Sequence, residues 1–186
     1  MSWQAYGQIA ARVSPDRFEP IFENSRALPP GLPTETLSTG GILYNIWYED
    51  VIDSSGIGFD DPAEGDARQD TLNQVLAEVA ATINMGGVLD ILIEASEIYS
   101  PTFLAGAGTF LPILDGFVDS STLIRLRDGV KLFPGFEEIF VVVNFSPQIV
   151  WHTGSEPIQF GQFDLASVLL HEITHGLGFL SLTFPT

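Results

Sequence analysis

The spacing of apolar residues along the chain predicts one β-sheet packed on two long helices. Residues 42–51, 88–95 and 139–145 are short runs rich in β-branched and aromatic side chains, which predict three strands. Over residues 66–85 and 164–177, apolar residues recur at the i, i+3, i+4, i+7 spacing of an amphipathic helix. The predicted buried face of the first helix is Leu72, Val75, Leu76, Val79, Ala80 and Ile83. The order of strands and helices predicts an α/β or α+β fold around one sheet.

Shorter patterns fill the gaps between these elements. The small-residue stretch 104–107 predicts a weak strand at an edge of the sheet. Asp61 and Pro62 resemble the start of a helix, with an acidic cap before a proline at the first helical position. Arg125 and Arg127 alternate with apolar residues, and we interpret them as one face of a further strand that neutralises nearby carboxylates.

Residues 1–40 differ from the rest of the chain because they contain five of its twelve prolines. This composition predicts an N-terminal extension or linker with short ordered pieces, and whether it is a propeptide or a linker stays open. Residues 41–186 are long enough to form one domain with its own hydrophobic core.

Charge and composition exclude several classes of function. The chain has 24 acidic and 7 basic residues, and its formal net charge of −17 argues against nucleic acid as a partner. Lys131 is the only lysine, and no apolar run approaches the roughly 20 residues of a membrane span, so we expect no membrane insertion. The chain has no cysteine, which excludes thiolate metal sites and cysteine nucleophiles.

The second predicted helix carries the most informative motif, His171-Glu172-Ile173-Thr174-His175. Two histidines four residues apart project from one helix face, where neutral imidazoles can bind one Zn²⁺ at about 2.0–2.1 Å. Zinc acidifies a bound water, and Glu172 is the candidate general base that takes its proton. Both histidines lie opposite the apolar residues of the helix, Leu165, Val168, Leu169, Leu170 and Ile173. The alternative is an accidental pattern with two surface histidines on an amphipathic helix.

The segment from Gly161 to Ser181 resembles the metzincin clan of zinc endopeptidases, and within it the matrixin-like branch with its motif HExxHxxGxxH. It is closest to secreted bacterial peptidases with HEMTHALGF-like zinc segments, and the resemblance extends over residues 41–182. It implies a zincin-like α/β (α+β) fold, with a twisted mixed sheet on two long helices and HExxH on the second. The motif residues that match are His171, Glu172, His175 and Gly178. The resemblance also implies an edge strand that binds the substrate through Leu104, Ala105, Gly106 and Ala107.

The third zinc ligand is left open by the sequence. The family motif places it at position 181, which is Ser181, and serine is not a normal zinc ligand. One hypothesis is that the chain is incomplete at its carboxyl end and the ligand lies beyond Thr186. The other is that His152, the only remaining histidine, completes the site; the alternative for His152 is a loop residue beside a tryptophan.

An acidic cluster before the first helix suggests a second kind of metal site. Oxygen-rich loops bind Ca²⁺, and matrixin-like enzymes often carry structural calcium. The alternative is that these carboxylates cap the helix and face solvent in its first turn. The cluster consists of Asp60, Asp61, Glu64, Asp66 and Asp70.

Together, these patterns and the resemblance predict a zinc-dependent endopeptidase that acts on protein or peptide substrates. We expect it to be secreted, although no signal peptide is visible in this chain. The rival hypothesis is a surface or adhesion module that keeps the zincin fold and has lost catalysis. The sequence does not predict the cleavage specificity or the oligomeric state.

Overall fold

The computed structural model describes residues 13–14, 17–18, 27–97, 100–110 and 119–179. None of the helices within these ranges is long and apolar enough to cross a membrane. The elements along the chain are β1 Val13–Ser14, β2 Arg17–Phe18, β3 Glu35–Thr39, β4 Ile42–Tyr48, α1 Glu49–Asp53, α2 Gly65–Ile83, β5 Gly87–Ser96, β6 Ala105–Gly108, α3 Ser121–Asp128, β7 Ile139–Asn144, β8 Val150–His152, β9 Gln162–Asp164 and α4 Leu165–Gly176.

Five strands form one mixed sheet in the order β3-β4-β5-β7-β6. The three inner strands β4, β5 and β7 are parallel, and the outer strands β3 and β6 are antiparallel to their neighbours. Parallel neighbours need long crossover connections, which α2 provides between β4 and β5. The strand pairs β1-β2 and β8-β9 are small and separate. The fold is therefore a mixed α/β arrangement around one sheet.

The helices α2 and α4 cover one face of this sheet. Leu72, Leu76 and Ile173 on the helices are buried in one apolar cluster with the sheet residues that point the same way. The whole of β7 is buried, which is why its sequence is almost continuously apolar rather than alternating. The sheet residues in this cluster include Ile42, Tyr44, Ile46, Leu89, Ile91, Ile93, Val141 and Val143.

The opposite face has a smaller apolar cluster and a polar row beside it. Trp47, Leu92, Phe140 and Val142 are buried together, covered by Leu28 and Phe103. In the polar row, Lys131 forms an ion pair with Asp90 and lies 3.5 Å from a carboxylate oxygen of Glu138. The only lysine of the chain is thus half-buried against the sheet between two carboxylates.

Most predicted elements are confirmed, with shifts at their ends that have local causes. The strand predicted over 42–51 ends at Tyr48, because the chain turns into α1 there. The helix predicted over 66–85 spans Gly65–Ile83. Asp61 caps the turn that precedes α2, since its side chain accepts hydrogen bonds from the backbone of Ala63 and Glu64 at 2.8 and 3.0 Å.

The strand interpretation of Arg125 and Arg127 is wrong, because both residues lie in the helix α3. Ser120 caps this helix by accepting a hydrogen bond from the backbone N–H of Leu123. Gly129 ends it in the left-handed conformation, with φ of 70°. Arg127 does pair with Asp119, as the carboxylate-neutralising interpretation expected.

One full strand of the sheet lies inside the stretch assigned to the N-terminal extension. Residues 35–39 pair with β4 in the register Glu35↔Ile46 to Thr39↔Ile42. The carboxylate of Glu35 accepts hydrogen bonds from the Tyr48 hydroxyl and from the Asn73 amide, which joins this strand to β4 and α2. The sheet therefore begins before residue 41.

Candidate metal centre

The helix α4 presents its two histidines on the side away from the sheet. Its N-terminus is fixed by Asp164, whose carboxylate accepts a hydrogen bond from the backbone N–H of Ser167. Leu165, Leu169 and Ile173 are fully buried against the sheet. His171 is exposed, and His175 is partly exposed one turn later. The predicted helix is confirmed, and so are three residues of its apolar face; Val168 is only partly buried, and the placement of Leu170 on the buried face is wrong, since this side chain is 39% exposed.

The rings of His171 and His175 converge on one point outside the helix. Their Nε2 atoms are 3.0 Å apart, and the ring centroids are separated by 4.4 Å. Two nitrogens bound to one tetrahedral zinc at about 2.0–2.1 Å lie roughly 3.3–3.4 Å apart. A small rotation of either ring reaches that separation, so the pair fits two adjacent positions of a tetrahedral metal site.

The other nitrogen of His175 has a fixed partner. Its Nδ1 lies 2.9 Å from the main-chain oxygen of Phe179. A carbonyl oxygen can only accept, so this geometry assigns the ring proton to Nδ1 and leaves a lone pair on Nε2. Metal-binding histidines are typically oriented through their second nitrogen in this way.

Glu172 points inward from the same helix turn, toward the edge strand β6. Its side chain is 8% exposed, and its carboxylate accepts a hydrogen bond from the backbone N–H of Ala107. Burial raises the pKa of Glu172 above its ordinary value, while the nearby imidazoles of His171 and His175 and the Ala107 hydrogen bond oppose the shift. The carboxylate is held between the two histidines and the edge of the sheet.

The strand β6 confirms the predicted edge strand and has one open edge among the described strands. Asn144 of β7 donates its backbone N–H to the oxygen of Leu104 at 2.9 Å. Since antiparallel residues alternate between bonding their neighbour and pointing away, Ala105 and Ala107 direct their N–H and C=O groups to the open edge. Leu104, by contrast, already bonds β7. The hydrogen bond from Ala107 to Glu172 lies on this open edge.

The two glycines after the histidine motif allow close contacts that a side chain would block. A Cβ on Gly176 would overlap the side chain of Ile139, so only glycine lets α4 approach β7 this closely. Gly178 has φ of 103°, and a Cβ there would lie 2.6 Å from the Cβ of Ser120. This turn brings the carbonyl of Phe179 back to His175.

His152 is not brought to the two helix histidines. It ends β8, with its Nδ1 3.7 Å from a carboxylate oxygen of Asp164 at the start of α4. His171 lies seven residues further along that helix, a rise of about 10 Å. No three His, Cys, Asp or Glu side chains in the described part of the chain gather into a metal site. Ser181 and Thr186 lie outside the described residues.

Two carboxylates of the acidic cluster, Asp60 and Asp61, have structural partners in the loop before α2. Asp60 accepts hydrogen bonds from Gly56 and Ser55, and Asp61 caps the following turn and lies 3.7 Å from Arg68. The backbone hydrogen bonds from Ala63 and Glu64 lower the pKa of Asp61, as expected for a capping carboxylate. Within the described ranges, these residues do not converge on a calcium site.

Four contacts of the site have no counterpart in the sequence predictions. Two of them use main-chain groups, the N–H of Ala107 and the C=O of Phe179, and main-chain groups have no residue signature. The other two are made by the hydroxyls of Ser120 and Thr122, which bond the end of α4. The helix-capping pattern at Ser120 could have located α3, and with it these hydroxyls.

Comparison with known proteins gives one partial match. A family model described as SPBPB7E8-like matches residues 122–183, about a third of the chain. The matched part runs from α3 through α4, and so includes His171, Glu172 and His175 but not β6. No curated protein and no solved structure matches the chain.

Proposed function

We propose that this protein is a zinc-dependent endopeptidase. The observation that carries the proposal is the convergence of the His171 and His175 Nε2 atoms at 3.0 Å, beside a buried carboxylate that bonds the edge strand. Metal ligands, a general base and an open strand edge are the three parts that hydrolysis of an extended peptide requires.

The two imidazoles supply two neutral nitrogen ligands. The hydrogen bond from Nδ1 of His175 to Phe179 orients that ring and keeps its Nε2 available. When bound, zinc would supply Lewis acidity to the scissile carbonyl and to the attacking water. Catalytic zinc sites usually have three protein ligands, and the described residues provide two of them.

Glu172 is the proposed general base. Its carboxylate lies next to both histidines, and burial raises its pKa toward the range in which a carboxylate exchanges protons efficiently at neutral pH. It takes a proton from the attacking water and then passes that proton to the nitrogen of the leaving amine. The hydrogen bond from Ala107 holds the carboxylate against β6 during both transfers.

The open edge of β6 is the proposed substrate platform. Ala105 directs its N–H and C=O outward and Ala107 its C=O, while the N–H of Ala107 bonds Glu172, so an extended peptide can bind as an added strand through the remaining groups. Glu172 bonds the same edge, which places the general base beside the peptide backbone.

Zinc content and proteolysis test the proposal. Purified protein is dialysed against a weak chelator, zinc per chain is measured by elemental analysis, and cleavage of casein and gelatin is followed. We expect cleavage that a strong zinc chelator abolishes. Glu172→Gln should keep its zinc and lose at least 100-fold in rate, in line with general base catalysis. His171→Ala should lose zinc, and Glu78→Gln, an exposed change on α2, is the matched control.

Two results would reject the proposal. If Glu172→Gln cleaves at the wild-type rate while zinc stays bound, Glu172 is not the general base. If the wild-type protein retains zinc but cleaves no member of a broad substrate panel, the inactive surface or adhesion module replaces the peptidase. If His152→Ala lost its zinc, His152 would be identified as the third ligand, although it lies beside Asp164 at the opposite end of α4 from the histidine pair.

A further inference from the structure

Three buried hydroxyl side chains, those of Thr109, Ser121 and Thr122, form a connected hydrogen-bond network at the base of the histidine helix, and the buried Ser120 directly precedes Ser121 at the start of α3. Thr109 lies just after β6, and its Oγ1 is 3.1 Å from the Ser121 hydroxyl and 2.9 Å from the Thr122 hydroxyl. Ser120, Ser121 and Thr122 begin α3 and are buried. The network therefore joins the end of the edge strand to the start of α3.

Thr122 of this network and the neighbouring Ser120 hold the C-terminal end of α4. Ser120 donates its hydroxyl proton to the oxygen of Leu177 at 2.7 Å, and Thr122 Oγ1 lies 2.8 Å from the oxygen of Gly176 and 3.0 Å from the oxygen of Glu138. The last carbonyl groups of a helix have no partner inside the helix, and a buried carbonyl without a partner is costly. These two hydroxyls supply those partners from a different element.

The end of α4 in turn determines where the Phe179 carbonyl lies. Directly after Leu177, Gly178 takes the left-handed conformation and donates its N–H to the oxygen of His175 at 2.8 Å. This turn returns the chain, so that the oxygen of Phe179 accepts from Nδ1 of His175. A Cβ on Gly178 would lie 2.6 Å from the Cβ of Ser120, so only glycine allows this turn to pack against Ser120.

We propose that Ser120 and Thr122 are positioning residues for His175. Their hydroxyls hold the end of α4, so that the Phe179 carbonyl fixes the proton of His175 on Nδ1 and its lone pair on Nε2. The expected effect on metal affinity rests on the proposed function. The position of the proton on the His175 ring can be measured without metal. Because Thr109 joins the same network, the hydroxyls also tie the proposed substrate strand to the ligand-bearing helix.

The test measures the His175 tautomer in the metal-free protein. Samples labelled with ¹⁵N at histidine are examined by NMR at pH 8.5, with His175→Ala to assign the signals. We expect the Nδ1–H tautomer of His175 to predominate in the wild type. Thr122→Val removes one hydroxyl with little change of shape and should increase the Nε2–H tautomer. Thr122→Ser, which keeps the hydroxyl, should restore the wild-type spectrum.

Affinity for Co²⁺, followed by its visible absorption, is the second readout. Loss of an outer partner of a metal-binding histidine typically weakens affinity about 10- to 100-fold, and we expect that range for Thr122→Val. Thr71→Val is the matched control, since Thr71 is also buried and its hydroxyl also bonds two backbone oxygens, those of Ala67 and Thr153. It should leave both the tautomer and the Co²⁺ affinity unchanged.

The inference is overturned if Thr122→Val leaves the His175 tautomer and the Co²⁺ affinity as they are in Thr71→Val. It is equally overturned if the wild type carries its proton on Nε2. If Thr122→Val does not fold, Ser120→Ala gives the same test through the Leu177 oxygen. A failure of the proposed function would give a different result. Glu172→Gln would still cleave protein substrates, and the tautomer of His175 would remain as expected.

Discussion

His175 shows how a single side chain depends on main-chain geometry. One ring nitrogen faces His171 and the other faces the oxygen of Phe179. These two partners differ in whether they can accept or donate a hydrogen bond. The carbonyl requires a donor, so the nitrogen facing His171 is left as an acceptor or a metal ligand. The role of this residue is therefore set by the carbonyl of Phe179, four residues downstream, which the turn at Gly178 brings back to the ring.

Gly176 gives a prediction at the scale of a single methyl group. In Gly176→Ala, the new Cβ would overlap the side chain of Ile139, so α4 must move away from β7. Overpacking of this kind typically costs about 1–3 kcal/mol of the free energy of unfolding, and we expect a loss in that range. Urea denaturation followed by circular dichroism measures it.

Gly154→Ala is the matched control, because the nearest atom to a Cβ there lies 3.9 Å away and the loop has room. Equal stability of the two alanine variants would contradict the close packing of α4 on β7. A Gly176→Ala variant that is less stable than Gly154→Ala supports it.

At the scale of elements, α4 is held at both ends by side chains with different tasks. Asp164 binds its N-terminus, and the hydroxyls of Ser120 and Thr122 bind its C-terminus. The histidine pair occupies the last two turns, so the C-terminal contacts bear directly on the site. The N-terminal contact bears mainly on stability.

The N-cap of α4 therefore gives a prediction about stability with little effect on the site. Asp164→Ala removes the acceptor for the backbone N–H of Ser167 and should cost about 1 kcal/mol of the free energy of unfolding. Asp164→Asn keeps an oxygen acceptor and should cost much less. Urea denaturation at pH 8 compares the two, and a loss of equal size in both would argue that charge rather than capping holds this end.

The elements predictable from sequence are those with a long, regular pattern. The helices α2 and α4 and the strand β7 each contain enough apolar positions to identify their period. By contrast, α1 has five residues and α3 has eight, which is too short for periodicity to outweigh their polar content. The strand β3 escapes sequence prediction because tertiary pairing with β4, rather than its own composition, places it in the sheet.

The candidate site is predictable only where side chains carry it. The spacing of His171, Glu172 and His175 is by itself enough to determine how these three residues are arranged on a helix. Their outer contacts, from Ala107 and Phe179, are made by the main chain and depend on which strand lies beside the helix. Residue spacing has no information about such contacts between distant elements, so they could not be predicted.

The whole molecule has a large excess of negative charge that its few cations offset locally. Arg68 donates to the oxygens of Ile57 and Gly58 and lies 4.4 Å above the ring of Phe145. Arg127 pairs with Asp119 and Asp128. At a net charge of −17 the carboxylates repel one another on balance, and raising the pH should weaken the fold where a carboxylate is also buried.

Glu137 is the residue where this effect should be measurable. It is 4% exposed, and burial raises its pKa from 4.5 to about 7. The charges of Glu138 and Glu49 add to this shift, whereas its own backbone N–H and Lys131 oppose it. The folded protein then binds more protons than the unfolded chain between these pH values. The contribution of Glu137 to the free energy of unfolding therefore falls as the pH rises from 4.5 to 7.

Glu137→Gln should remove this dependence. At pH 8 the variant should be more stable than the wild type by up to about 3 kcal/mol, and at pH 4.5 the difference should nearly vanish. Urea denaturation across this pH range measures both. The exposed Glu78→Gln is the control and should follow the wild-type curve; a Glu137→Gln curve parallel to it would show that Glu137 does not titrate with folding.

The burial of Lys131 between Asp90 and Glu138 has a practical consequence for chemical labelling. It is the only side-chain amine in the sequence, and in the folded state its nitrogen is engaged by two carboxylates. Because this side chain is only 20% exposed and its nitrogen is paired, an amine-specific reagent should react faster once the segment before β7 separates from the sheet. The rate at which Lys131 becomes labelled is thus a built-in reporter of local opening at one defined place in the fold.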